Sequence, residues 1–149
     1  MKFIIYLLLF GLLMTSCNSS SMIKGETRYL YPDYIAYNQP QRMVASIKEG
    51  SIVISVNCKY VELKGEMFYE KFHIKMEVAE IIEQDSVMGS AAPYATTYKG
   101  RDMSEPNTKD ILTIVEVPGK PIGVYFKAIQ QTTKEEVSIG FMCKSSDYE

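Results

Sequence analysis

The chain has 149 residues, with 16 basic and 18 acidic side chains, one histidine and no tryptophan. The two signs of charge are interspersed and no basic patch occurs, which argues against nucleic acid or bare anionic lipid headgroups as partners. A chain of this size suits one domain with a real core, and no repeat of 20–50 residues is visible.

At the N-terminus, Lys2 precedes an apolar stretch from Phe3 to Met14 that is interrupted only by Gly11; Thr15, Ser16 and Cys17 follow. About a dozen apolar residues suit the apolar region of a signal peptide and fall short of the ~20 that a membrane-crossing helix needs. The segment Leu13-Met14-Thr15-Ser16-Cys17 resembles the lipobox of bacterial lipoproteins, with Met14 departing from the usual Leu, Val or Ile. The resemblance covers these first residues alone. It implies cleavage before Cys17, a diacylglycerol thioether on Cys17 and an acylated (palmitate-type) new amino terminus. One acyl chain holds a protein marginally and two hold it stably, at ~0.8 kcal/mol per buried CH₂. The mature chain is therefore expected to sit on a membrane without spanning it. An ordinary secretory signal, or a membrane anchor, with an incidental cysteine is the alternative.

Residues 17–26 are short, polar and serine-rich, and read as a lipidated tether. Asn18, where Asp would resemble an inner-membrane retention signal, points to the outer membrane on its periplasmic side. The inner membrane and the cell surface remain alternatives. Taking Lys2 from the 16 basic residues leaves 15 against 18 acidic ones, so the mature net charge is −3.

Residues 27–149 form the expected single domain. A strand is expected around Tyr29–Tyr37 and a shorter one over Met43–Lys48. From Ile52 the apolar positions 52, 54, 56, 58 and 60 alternate with polar ones, which predicts one half-buried strand. Residues 66–83 alternate from Phe72 to Val78, yet Phe68, Phe72, Met76 and Ala79 also keep the helical period. Strand is preferred there and helix left open. Residues 84–109 have no useful period. A loop of that length is uncommon in a compact domain and reads as a binding loop, a flap or a missed element.

The last third predicts an antiparallel meander: Ile111–Val117, a turn at Pro118-Gly119-Lys120-Pro121, Ile122–Ala128, a polar loop over Thr132–Glu135, and Val137–Cys143. About seven short strands point to an all-β fold, an antiparallel β-sandwich or small barrel, with a five-stranded OB-like barrel as the alternative.

Little chemistry is assembled. His73 is the only histidine, and no nucleophile elbow, zinc-binding histidine or cysteine pattern or Gly-rich phosphate loop occurs. The carboxylate pairs Glu135/Glu136 and Glu77/Glu80 fall where a solvated face or turn is expected. No catalytic residue, metal or cofactor is expected. Cys58 and Cys143 share the inward phase of their strands, so they form either a bridge in an oxidising compartment or two buried thiols.

The binding hint is tyrosine. Tyr29, Tyr31, Tyr34 and Tyr37 crowd nine residues, and Tyr94 and Tyr98 lie in the long segment near Arg101. Tyr presents a rigid ring with a polar tip, suited to protein interfaces and to sugars. Packing of these rings onto the domain is the competing reading. The expected function is a non-enzymatic, membrane-anchored envelope lipoprotein that binds another protein, as accessory subunit, inhibitor or immunity-type factor. A glycan-binding module is the alternative.

Overall fold

The structure is a computed structural model that describes residues 25–36, 44–67, 69–84 and 94–149. Among them run nine strands: β1 (Arg28–Ala36), β2 (Val44–Ser46), β3 (Ile52–Val56), β4 (Tyr60–Met67), β5 (Glu70–Gln84), β6 (Tyr94–Asp102), β7 (Thr108–Glu116), β8 (Ile122–Gln130) and β9 (Glu136–Tyr148). From β3 to β9 each strand pairs antiparallel with the next. β1 pairs with β3 on one side and with β9 on the other, so the sheet closes. The fold is an eight-stranded antiparallel β-barrel with β2 added on β1. Closure removes the exposed edges that an open sheet would have to protect.

Period-two alternation builds the barrel. Ile52, Ile54 and Val56 on β3, Val61 and Leu63 on β4, Leu112 and Ile114 on β7, and Val124 and Phe126 on β8 all point inward and are buried. Phe141 and Cys143 complete that interior from β9. The intervening positions on β4–β6 carry Glu62, His73, Lys75, Glu77 and Lys99 on the outside. A lipid-spanning barrel has the inverse pattern, apolar outside and polar within. This wall is built to face water.

Two irregularities shape the wall. Pro32 has no N–H to give a ladder, and the β1–β9 register shifts on either side of it. On β5 the register with β6 shifts between Val78 and Glu80. There β5, 15 residues long, passes from β4 to β6. Gly100 sits opposite this bulge, where a Cβ would run into the backbone of Glu77.

The two ends of the barrel differ. At one end the chain enters and leaves: Thr27 and Glu149 exchange backbone hydrogen bonds of 2.6 and 2.9 Å. At the other end lie the β4–β5, β6–β7 and β8–β9 turns and the end of β1.

Several expectations need correction. The alternation from 52 to 60 is two strands, not one: β3 ends at Val56, and Asn57 Oδ1 accepts from the N–H groups of Lys59 and Tyr60 to turn the chain. Cys58 therefore lies in a turn and not on an inward strand position. Residues 70–84 are strand throughout, which removes the helical alternative. The long segment 84–109 contains β6, a missed element. The meander of β7, β8 and β9 agrees with expectation, each strand being longer than its apolar core suggested.

Candidate functional site

The outer face of β1 carries Tyr29, Tyr31 and Tyr34, on the opposite phase to the buried Leu30 and Ile35. None of these three rings enters the barrel core. Across the β1–β9 ladder Tyr34 stands opposite Met142, and across β8–β9 Met142 stands opposite Gly123. The ring of Tyr125 lies over Gly123, 3.2 Å from where a Cβ would be. The result is a continuous outer band, Tyr34–Met142–Tyr125, with the three side chains 38 %, 38 % and 54 % exposed. Tyr69, 98 % exposed, stands apart on the β4–β5 turn with a left-handed backbone (φ 69°).

The remaining expected binding residues separate. Tyr98 is buried in the core at 3 % exposure, and Tyr94 shares its inward phase on β6. Tyr98 helps fill the barrel, Tyr94 is half-buried, and neither joins the outer band. Arg101 is exposed on the outside of β6 opposite Glu77. Tyr37 and Cys17 lie outside the described residues. Cys58 and Cys143 are separate thiols, so the bridge is absent. Burial pushes the Cys143 thiol up to about 12, with Asp33 adding to the shift and Arg28 opposing it.

Inside the barrel are polar groups that the alternation did not flag. Arg28 on β1 makes a two-pronged contact to Glu116 on β7, at 2.6 and 3.0 Å, and also donates to Ser146 Oγ at 3.2 Å. Near the opposite end Asp110 is 1 % exposed, and both its carboxylate oxygens lack hydrogen-bond partners among the described residues. Burial is the main reason its carboxyl is raised to about 6. Nearby Asp102 and Glu105 add to the rise. The nearby Thr108 side chain and the Asp102 backbone, neither in full hydrogen-bond geometry with the carboxylate, offset part of it. His73 is exposed and contacts Glu62 at 2.5 Å across β4–β5, a surface pair. Among the described residues no three His, Cys, Asp or Glu side chains gather as a metal site would require.

The wall is breached at the end away from the termini. β2 and β3 lie along the same edge of β1 but are separated by a four-residue excursion, Lys48–Ser51, closed by a Ser51 N–H bond to the Lys48 carbonyl and by Gly50 at φ +74°. β2 pairs with β1 alone, while the end of β4 pairs only with β5. Between them opens a groove of about 900 Å³. Ile35, Ala45, Ile47 and Met67 form its apolar floor, and lysines 48, 64 and 71 stand on its rim.

No protein-family model matches the chain, and neither the curated proteins nor the solved structures yield a match.

Proposed function

We propose that the mature chain is a lipid-anchored, non-enzymatic protein of the cell envelope that binds another protein. Cys17 carries the anchor, on the strength of the lipobox-like segment before it. The observation that carries the binding reading is the outer tyrosine band. Large rings kept on the outside of a closed barrel, when the core is already filled from the other phase, are spare contact surface. Tyrosine and methionine are enriched in protein interfaces, where a rigid amphipathic ring orders at small entropic cost.

Chain direction supports the same reading. The tether joins at the end where Thr27 pairs with Glu149, and Tyr34 lies near the far end of β1. Tyr34 is six positions along β1 from Arg28, which at ~3.3 Å per residue and barrel tilt puts the band's outer edge roughly 15 Å further from the anchor. A partner in the periplasm or on a facing membrane would meet that part first.

Crosslinking in intact cells, followed by purification of the tagged lipoprotein, tests this. One dominant protein neighbour is expected. Recovery of glycan with no protein would replace the reading with sugar stacking on the same rings, and recovery of neither would remove both.

A further inference from the structure

We propose that the groove between β2 and the β4–β5 hairpin is a strand-addition site for an extended, acidic segment of the partner protein. The proposal rests on the protein-binding reading above and gives the partner its chemistry. Three observations converge on it.

The first is a backbone edge that is unpaired among the described residues. The Ile47 N–H donates to the Asp33 carbonyl at 2.7 Å. In an antiparallel ladder bonding residues alternate, so Ala45 also faces β1 and the N–H and C=O of Ser46 point away from it, toward the groove. Across the groove, the Glu66 N–H bonded to the Ser51 carbonyl at 3.0 Å is the last link between β4 and this wall. An unpaired edge beside an apolar floor is what an added strand needs. Its backbone bonds to the edge, and alternate side chains drop into the floor.

The second is shape. The groove is walled by β2 and by the β4–β5 hairpin but is open to solvent along its rim, where lysines 48 and 64 and Tyr69 are exposed. A small ligand needs most of its surface enclosed, which an open trough does not provide. An extended chain needs only one edge and one face covered. Tyr69, almost wholly exposed on a strained turn at the rim, fits an aromatic anchor awaiting a partner.

The third is charge. Lysines 48, 64 and 71 outnumber Glu49 and Glu66 around the groove, on a mature chain whose net charge is −3. Such a local reversal of sign selects acidic side chains on the polar phase of the incoming strand and repels basic ones. The favoured segment therefore alternates β-branched apolar residues with Asp or Glu.

The test uses the full-length lipoprotein in detergent and two fluorescein-labelled synthetic peptides. One alternates Ile and Val with Asp and Glu; the other carries Lys in place of every acid. Anisotropy should rise saturably with the acidic peptide and about tenfold more weakly with the basic one. Lys48→Glu with Lys64→Glu should reverse that preference. Ser46→Pro deletes an N–H of β2 that faces the groove, and should weaken acidic-peptide binding at unchanged melting temperature. If Ser46→Pro unfolds, the charge reversal decides. No saturable binding, equal binding of both peptides, or indifference to the charge reversal overturns the groove proposal. A partner still crosslinked in cells would then leave the protein-binding reading standing, and loss of that partner as well would overturn both.

Discussion

Arg28 and Glu116 are 88 positions apart in the chain, yet their side chains meet inside the barrel at 2.6 Å. Arg28 follows the Thr27–Glu149 backbone pair, and Glu116 ends β7 three strands away around the wall. The pair therefore ties the start of β1 to the far side of the barrel. The Arg28 side chain is 8 % exposed and that of Glu116 35 %, so the arginine bears the larger desolvation cost.

Breaking that pair from one side leaves a buried cation. Glu116→Ala should destabilise the protein by about 3 kcal/mol in urea unfolding. Replacing both residues, Arg28→Met with Glu116→Leu, should recover most of that loss, because an apolar pair needs no compensation for lost hydration. Equal losses in the single and double variants would show that the ion pair itself stabilises the barrel.

Asp110 makes stability depend on pH in the unusual direction for a carboxylate. Its folded-state carboxyl is raised to about 6 from an ordinary value of 3.8, so the folded protein holds the proton more tightly than the unfolded chain. Where the folded state binds more protons, stability falls as pH rises. The Asp110 contribution is thus favourable near pH 4 and is lost progressively toward pH 7, by at most about 3 kcal/mol. Asp110→Asn should remove that slope and melt several degrees above the wild type at pH 8. A wild-type melting temperature that runs parallel to that of Asp110→Asn across pH 4–8 would contradict this assignment.

The cysteines should differ sharply in reactivity. Cys58 is partly exposed in the β3–β4 turn, and Cys143 is buried with its thiol pushed up to about 12. Reaction follows the thiolate and access to it. Iodoacetamide should label Cys58 in the native protein and Cys143 only after unfolding. Both should label in denaturant without reductant, as counted by mass spectrometry. A mass two hydrogens lower, with neither thiol labelled, would restore the bridge.

Most of the barrel was legible in the sequence because its interior is aliphatic. Ile52, Ile54 and Val56, or Val124 and Phe126, stand out against polar neighbours, and turn residues at Gly50 and Pro118–Gly119 mark where strands stop. β6 was missed because its contrast is low: Thr96 faces in and Thr97 faces out, and Gly100 and Asp102 occupy the inward phase with Tyr98. The single alternation from 52 to 60 hid a tight turn, since Cys58 and Tyr60 happen to keep the phase of β3 after the chain has reversed. Closure itself leaves no local trace, for the β1–β9 pairing joins segments over 100 residues apart. The candidate site was half legible. Tyr34 was visible as a tyrosine in a cluster, but its neighbours Met142 and Tyr125 join it only through register, and the groove exists only because β2 and β4 part company.

The outer band is the centre of the functional proposal, and one paired measurement addresses it. Tyr34→Ala with Tyr125→Ala should leave the melting temperature within a few degrees, because both rings lie outside the core. The same variant, crosslinked in intact cells and purified beside the wild type, should recover about tenfold less of the dominant protein neighbour. Undiminished recovery of that neighbour by a folded double variant would contradict a binding role for the band.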